Sequence, residues 1–91
     1  MDNDQILKIL KSYEKILKSR DNKPERGPVE DNYIRWGDNQ LRNHALYMSQ
    51  EIKSFLKLGR REKAMRWFGF LQCLMFQHCH YTIGQLCEEN R

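Results

Sequence analysis

The chain has 91 residues, 40% hydrophobic and 31% charged, with sixteen Lys and Arg against twelve Asp and Glu for a net charge of +4. This is the composition of one small globular domain; it excludes general disorder, and the positive excess is too slight to diagnose nucleic-acid binding. A domain of this size is marginal alone, and oligomerisation is a common remedy. Its longest apolar run, Trp67 to Leu71 and then Cys73 to Phe76, falls far short of the ~20 residues of a membrane span.

The start Asp2-Asn3-Asp4 is not the basic start of a secretory signal, and all three cysteines lie in the last 19 residues, where they cannot staple the N-terminal half. The expectation is a reduced, cytoplasmic setting without membrane contact.

Residues 4–20 read as the first helix. Ile6, Leu7, Ile9, Leu10, Tyr13, Ile16 and Leu17 recur at three- and four-residue steps, and Lys8, Lys11, Lys15 and Lys18 fill the other face. Asn3 or Asp2 can cap it. Residues 21–35 form a linker in which Pro24, Gly27 and Pro28 stand among charges and break both helix and strand. Its length would let the first helix swing out onto a neighbouring chain, or make it a lid.

The second helix is expected over 38–58, with Asp38 as cap. Leu41, Ala45, Met48, Ile52 and Phe55 form a narrow heptad seam, and Gly59 sits where a C′ glycine ends a helix. The third runs over 61–78 and forms an antiparallel hairpin with the second. Thr82 and Gln85 have the spacing of a capping box for a short fourth helix over 83–90. No segment alternates with period two. The class is all-α: a small hairpin or bundle of three long helices plus a short C-terminal one.

The third helix is the most informative element. It starts basic and turns apolar on nearly every side, and such a helix must be buried all round. So short a chain has little else to cover it, which points to a homo-oligomer. Trp67, Leu71 and Leu74 share a face with Phe70 nearby, whereas Phe68 and Met75 point elsewhere. Phe68, Gly69, Phe70, Met75 and Phe76 are therefore the expected interface between copies, with Gly69 allowing close approach. A mid-helix glycine costs about 1 kcal/mol relative to alanine and needs such a reason.

Between 57 and 66, Lys57, Arg60, Arg61, Lys63 and Arg66 stand against Glu62 alone, so this segment carries the whole net charge of +4. Arginine forks and a helix start both suit phosphate or carboxylate; a solvated helix joint is the plainer reading. Arg66 lies where the helix turns apolar, so it is expected to be buried against Glu51, Asp38, another subunit or a ligand. Trp36 either staples onto Leu41 or lines a pocket with Arg35, Arg42 and His44, beside the amides of Asn39, Gln40 and Asn43. Trp67 could stack on a base, although aromatics at helical spacing are more often core.

Cys73, His78, Cys79, His80 and Cys87 are metal-capable types but lack the paired spacing of a zinc site. No glycine-rich phosphate loop, nucleophile elbow or His-Glu-x-x-His motif is present. The reading is therefore no catalysis, no cofactor and no metal.

The run Gly59-Arg60-Arg61-Glu62-Lys63-Ala64-Met65-Arg66-Trp67-Phe68-Gly69-Phe70-Leu71-Gln72, followed by Tyr81-Thr82-Ile83 and Glu88-Glu89-Asn90-Arg91, resembles the C-terminal half of small phage accessory proteins. The likeness covers residues 40–91; those proteins often carry a glycine where this chain has Cys73. It implies a protein made early in infection that acts in the host cytoplasm by blocking or sequestering a host component. The leading expectation is a self-associating counter-defence protein that holds an anionic small molecule, a cyclic nucleotide being the most concrete candidate. Arg60, Arg61, Lys63 and Arg66 would meet phosphate, and Trp36 or Trp67 would stack. The rivals are an inhibitor that docks on a host enzyme and a weak nucleic-acid binder.

Overall fold

The first helix starts where Asp2 and Gln5 satisfy each other. The Asp2 carboxylate accepts from the Gln5 N–H at 2.8 Å, and the Gln5 side chain accepts from the Asp2 N–H at 2.9 Å. This reciprocal capping box supplies partners for donors that a helix start leaves orphaned. The structure, a computed structural model, describes residues 1–26, 37–78 and 88. Among these residues it is all-helical, with α1 over Asn3–Ser19, α2 over Asp38–Lys57 and α3 over Arg61–His78. The expected fourth helix over 83–90 lies outside the described residues.

The helices also end on identifiable devices. After α1, the Asn22 N–H reaches the Leu17 carbonyl at 3.2 Å and the Asp21 N–H reaches Lys18 at 3.1 Å. After α2, the Arg60 N–H reaches Phe55 at 2.8 Å and the Gly59 N–H reaches Leu56 at 3.2 Å. Both are Schellman closures, which need one residue in the left-handed region. Gly59 fills it at φ 74° without a Cβ; Asp21 fills it at φ 60° with one. At the start of α2, Gly37 is the cap residue and Asp38 is already in the first turn. The expected Asp38 cap is thus corrected by one position; the Gln40 side chain instead accepts from the Gly37 N–H at 3.2 Å.

The core is one cluster shared by all three helices. Ile6, Leu10, Tyr13 and Leu17 contribute the α1 stripe, and Leu41, Ala45, Met48, Ile52 and Phe55 the expected α2 seam, joined by Leu46. From α3 come Ala64, Phe68, Leu71, Leu74 and Met75. The Tyr13 and Phe68 rings stack at 6.4 Å between centroids, so α1 and α3 meet directly. Within the protomer α1 thus packs on the chain's own core; residues 27–35 of the expected linker lie outside the described residues. The linker's first residues run back along α2, where the Glu25 N–H donates to the Asn43 carbonyl at 3.2 Å.

The face assignment on α3 is corrected. Phe68 and Met75 are 1% and 0% exposed inside the protomer, so neither is available to a second copy. With Ala64 and Leu71 they step by four, three and four, which is one helical face. Of the expected interface, Gly69, Phe70 and Phe76 remain on the surface. An added Cβ at Gly69 would meet nothing within 4 Å among the described residues, so no close contact within the protomer explains that glycine. No described helix is long and apolar enough to cross a membrane.

Truncating Phe68 to Ala should cost about 3–5 kcal/mol, the usual price of an emptied aromatic core site, read from urea unfolding by circular dichroism. Asp21→Gly should instead raise stability by about 1 kcal/mol by removing the Cβ from a left-handed position. An unchanged midpoint for Phe68→Ala would contradict the packing, and a lowered one for Asp21→Gly would contradict the closure.

Candidate ligand site

The Schellman turn at Gly59 brings the end of α2 and the start of α3 together, and with them the cations of the joint. Arg60 lies over the Phe55 ring with its guanidinium carbon 5.7 Å from the centroid. Lys63 covers the same ring at 4.8 Å. Trp67, one turn beyond Lys63, meets Phe55 edge to face at 5.0 Å. Phe55 is buried and Trp67 half-buried. The result is an aromatic floor with two cationic heads drawn onto it, each contact worth about 0.5–1 kcal/mol near solvent. Phe55 is the residue that sequence reading missed, because a seam position was assigned to packing alone.

The other candidates divide. Arg61 is a structural tie: its guanidinium donates to the Asn3 side chain and to the Met1 carbonyl, joining the starts of α3 and α1. Arg66 was expected to be buried and paired. It is exposed, and neither Glu51 nor Asp38 pairs with it among the described residues. The reason is geometric: residues 64, 68, 71 and 75 form the core face, and position 66 lies off it. Lys57 is exposed at the end of α2.

Arg42 and His44 do not join this group. They lie near the other end of α2, about 20 Å from the joint at 1.5 Å per residue. His44 is buried, with Nδ1 3.2 Å from the Glu25 carbonyl and its ring stacked on Tyr47 at 5.7 Å. The asparagines expected to serve a ligand serve the chain itself. The Asn22 side-chain amide donates to Asn39 Oδ1 at 2.9 Å and to Asn43 Oδ1 at 2.8 Å, and Asn43 donates to Glu25 at 3.2 Å. Arg35 and Trp36 lie outside the described residues, as do Cys79, His80 and Cys87. Cys73 is exposed and free.

A second polar group sits between α1 and α2. Glu14 is buried on the core side of α1, where its carboxylate accepts from Ser49 Oγ at 3.1 Å and from Lys53 Nζ at 2.7 Å. Its signal in the sequence is position: Glu14 follows Leu10 by four residues, on the apolar stripe. A carboxylate there needs donors from a neighbour, and the antiparallel α2 supplies two of them one turn apart.

No protein-family model, no curated protein and no solved structure matches the chain.

Lys53→Ala should destabilise the protein by about 1–3 kcal/mol, because it leaves a buried carboxylate with Ser49 as its remaining described partner. Replacing Glu14 and Lys53 together by Leu and Met should recover most of that loss. Denaturant titration of the single and double variants checks both, and equal losses in the two would contradict the pairing.

Proposed function

We propose that this chain is a non-catalytic binding protein that takes an anionic ligand at the α2–α3 joint, as a counter-defence protein of phage type acting in the host cytoplasm. The supporting observation is the convergence of Arg60 and Lys63 on the Phe55 ring beside Trp67, with Arg66 and Lys57 exposed nearby. None of these four cations has a carboxylate partner among the described residues. Guanidinium forks grip phosphate in bidentate fashion, and a half-buried indole offers a face for a flat base. A nucleotide signal combines the two, and sequestering it requires no reaction.

Self-association belongs to the same reading, with a narrower footing than the sequence alone suggested. Phe70 and Phe76 are 42% and 39% exposed on the outer side of α3. Apolar surface there suits contact between copies, while Phe68 and Met75 stay with the protomer's own core.

The test is calorimetric titration with a panel of mononucleotides and cyclic nucleotides. At least one member should bind, with Trp fluorescence changing on saturation, and Lys63→Ala together with Arg60→Ala should weaken it about a hundredfold, some 1.4 kcal/mol for each cation. No heat from any member, or binding indifferent to both substitutions, removes this reading.

A further inference from the structure

The outward face of α1 carries one sign of charge. Lys8, Lys11, Lys15 and Lys18 follow one another by three, four and three residues, so they stand in a row on one helical face. All four are exposed, whereas Ile6, Leu10, Tyr13 and Leu17 on the opposite side are buried. At 1.5 Å per residue the row is about 15 Å long. A solvated helix face ordinarily mixes its signs, with a carboxylate one turn from each lysine. Here α1 has two carboxylates. Asp4 stands in the first turn, at the end of the row. Glu14 is turned inward, where Ser49 and Lys53 take it. Among the described residues no carboxylate pairs with any of the four lysines. Each therefore has a like charge one turn away, an unfavourable arrangement that the fold keeps.

We propose that this row binds a nucleic-acid duplex through its phosphate backbone, without reading its sequence. A duplex presents about one negative charge per 1.7 Å of its axis, so a straight row of point charges meets several phosphates at once and loses its own repulsion. Other anionic partners fit less well. A single strand is held by bases stacked on aromatic rings, and the one aromatic residue of α1, Tyr13, is buried in the core. A membrane-surface helix lays its apolar face into lipid, and that face of α1 is occupied by the core. A protein interface needs an apolar centre, and the row is lysine from end to end. It draws on none of the residues at the Phe55 corner.

The experiment titrates a fluorescently labelled DNA duplex of about 20 base pairs with the full chain and reads anisotropy. At about 50 mM salt the dissociation constant should be micromolar, and log affinity should fall against log salt with a slope of about −3 to −4, roughly 0.9 for each lysine. Lys11→Gln with Lys15→Gln should weaken binding about tenfold or more and reduce that slope by about 2, while Lys11→Arg with Lys15→Arg should keep both. The Gln pair should melt at the same temperature or higher, because like-charge neighbours are removed. Arg60→Ala with Lys63→Ala, which breaks the Phe55 corner, should leave duplex binding in place, so the two sites fail separately. No binding at low salt, a slope indifferent to the Gln pair, or tighter binding of a single strand of the same sequence overturns the proposal. Vesicles of phosphatidylcholine and phosphatidylserine that bind more tightly than the duplex, through the same two lysines, overturn it in favour of a lipid surface.

Discussion

Everything else in this fold depends on the seam where the Ala64, Phe68, Leu71 and Met75 stripe of α3 closes over Tyr13 of α1 and the heptad positions of α2. A chain of this size has little apolar surface to spare, so each helix gives one apolar stripe to a single shared core. Tyr13 and Phe68 do this most directly, because two aromatic rings from helices distant in sequence stack with no exposed edge. Once that contact is made, the joint at Gly59 has one geometry. The cations on either side of it are then fixed in place by the packing, without any need of their own.

Polar groups set the register of that packing. At one end of the α1–α2 pair, Asn22 is held by Asn39 and Asn43. Midway, Glu14 is held by Ser49 and Lys53. At the other end, Arg61 of α3 holds Met1 and Asn3. Apolar contact is tolerant of sliding; a buried carboxylate that loses both donors is not. The first two ties set α1 along α2 in one alignment and the third joins α1 to α3, while the described start of the linker is held on α2 at Glu25.

The three helices were legible in the sequence to within a residue or so, because their stripes are long and their stops are explicit. The α2 seam was read residue for residue. Reading failed on α3, where apolar residues occur on several sides and periodicity alone does not say which side is covered. Phe68 and Met75 were assigned outward on that account, and Arg66 inward. Only the packing of α3 against α2 and Tyr13 of α1 resolves the choice, and that is tertiary information. Glu14 and Asn22 were missed for a related reason: a single polar residue on an apolar stripe has no pattern of its own, and its partners lie more than fifteen positions away. The cationic joint was visible as charge, but Phe55 beneath it was not, since a seam residue carries the same signal whether or not a lysine rests on its ring.

The central claim is that this chain completes its own core and so presents the Phe55 corner from a single protomer. Amide hydrogen exchange measured over a hundredfold range of protein concentration, roughly from micromolar upward, tests it most directly. Protection of the Phe68, Leu71 and Met75 amides should equal that of Ile52 and stay constant on dilution. Protection that drains from α3 as the protein is diluted would mean that a second chain finishes the core, and would contradict the account.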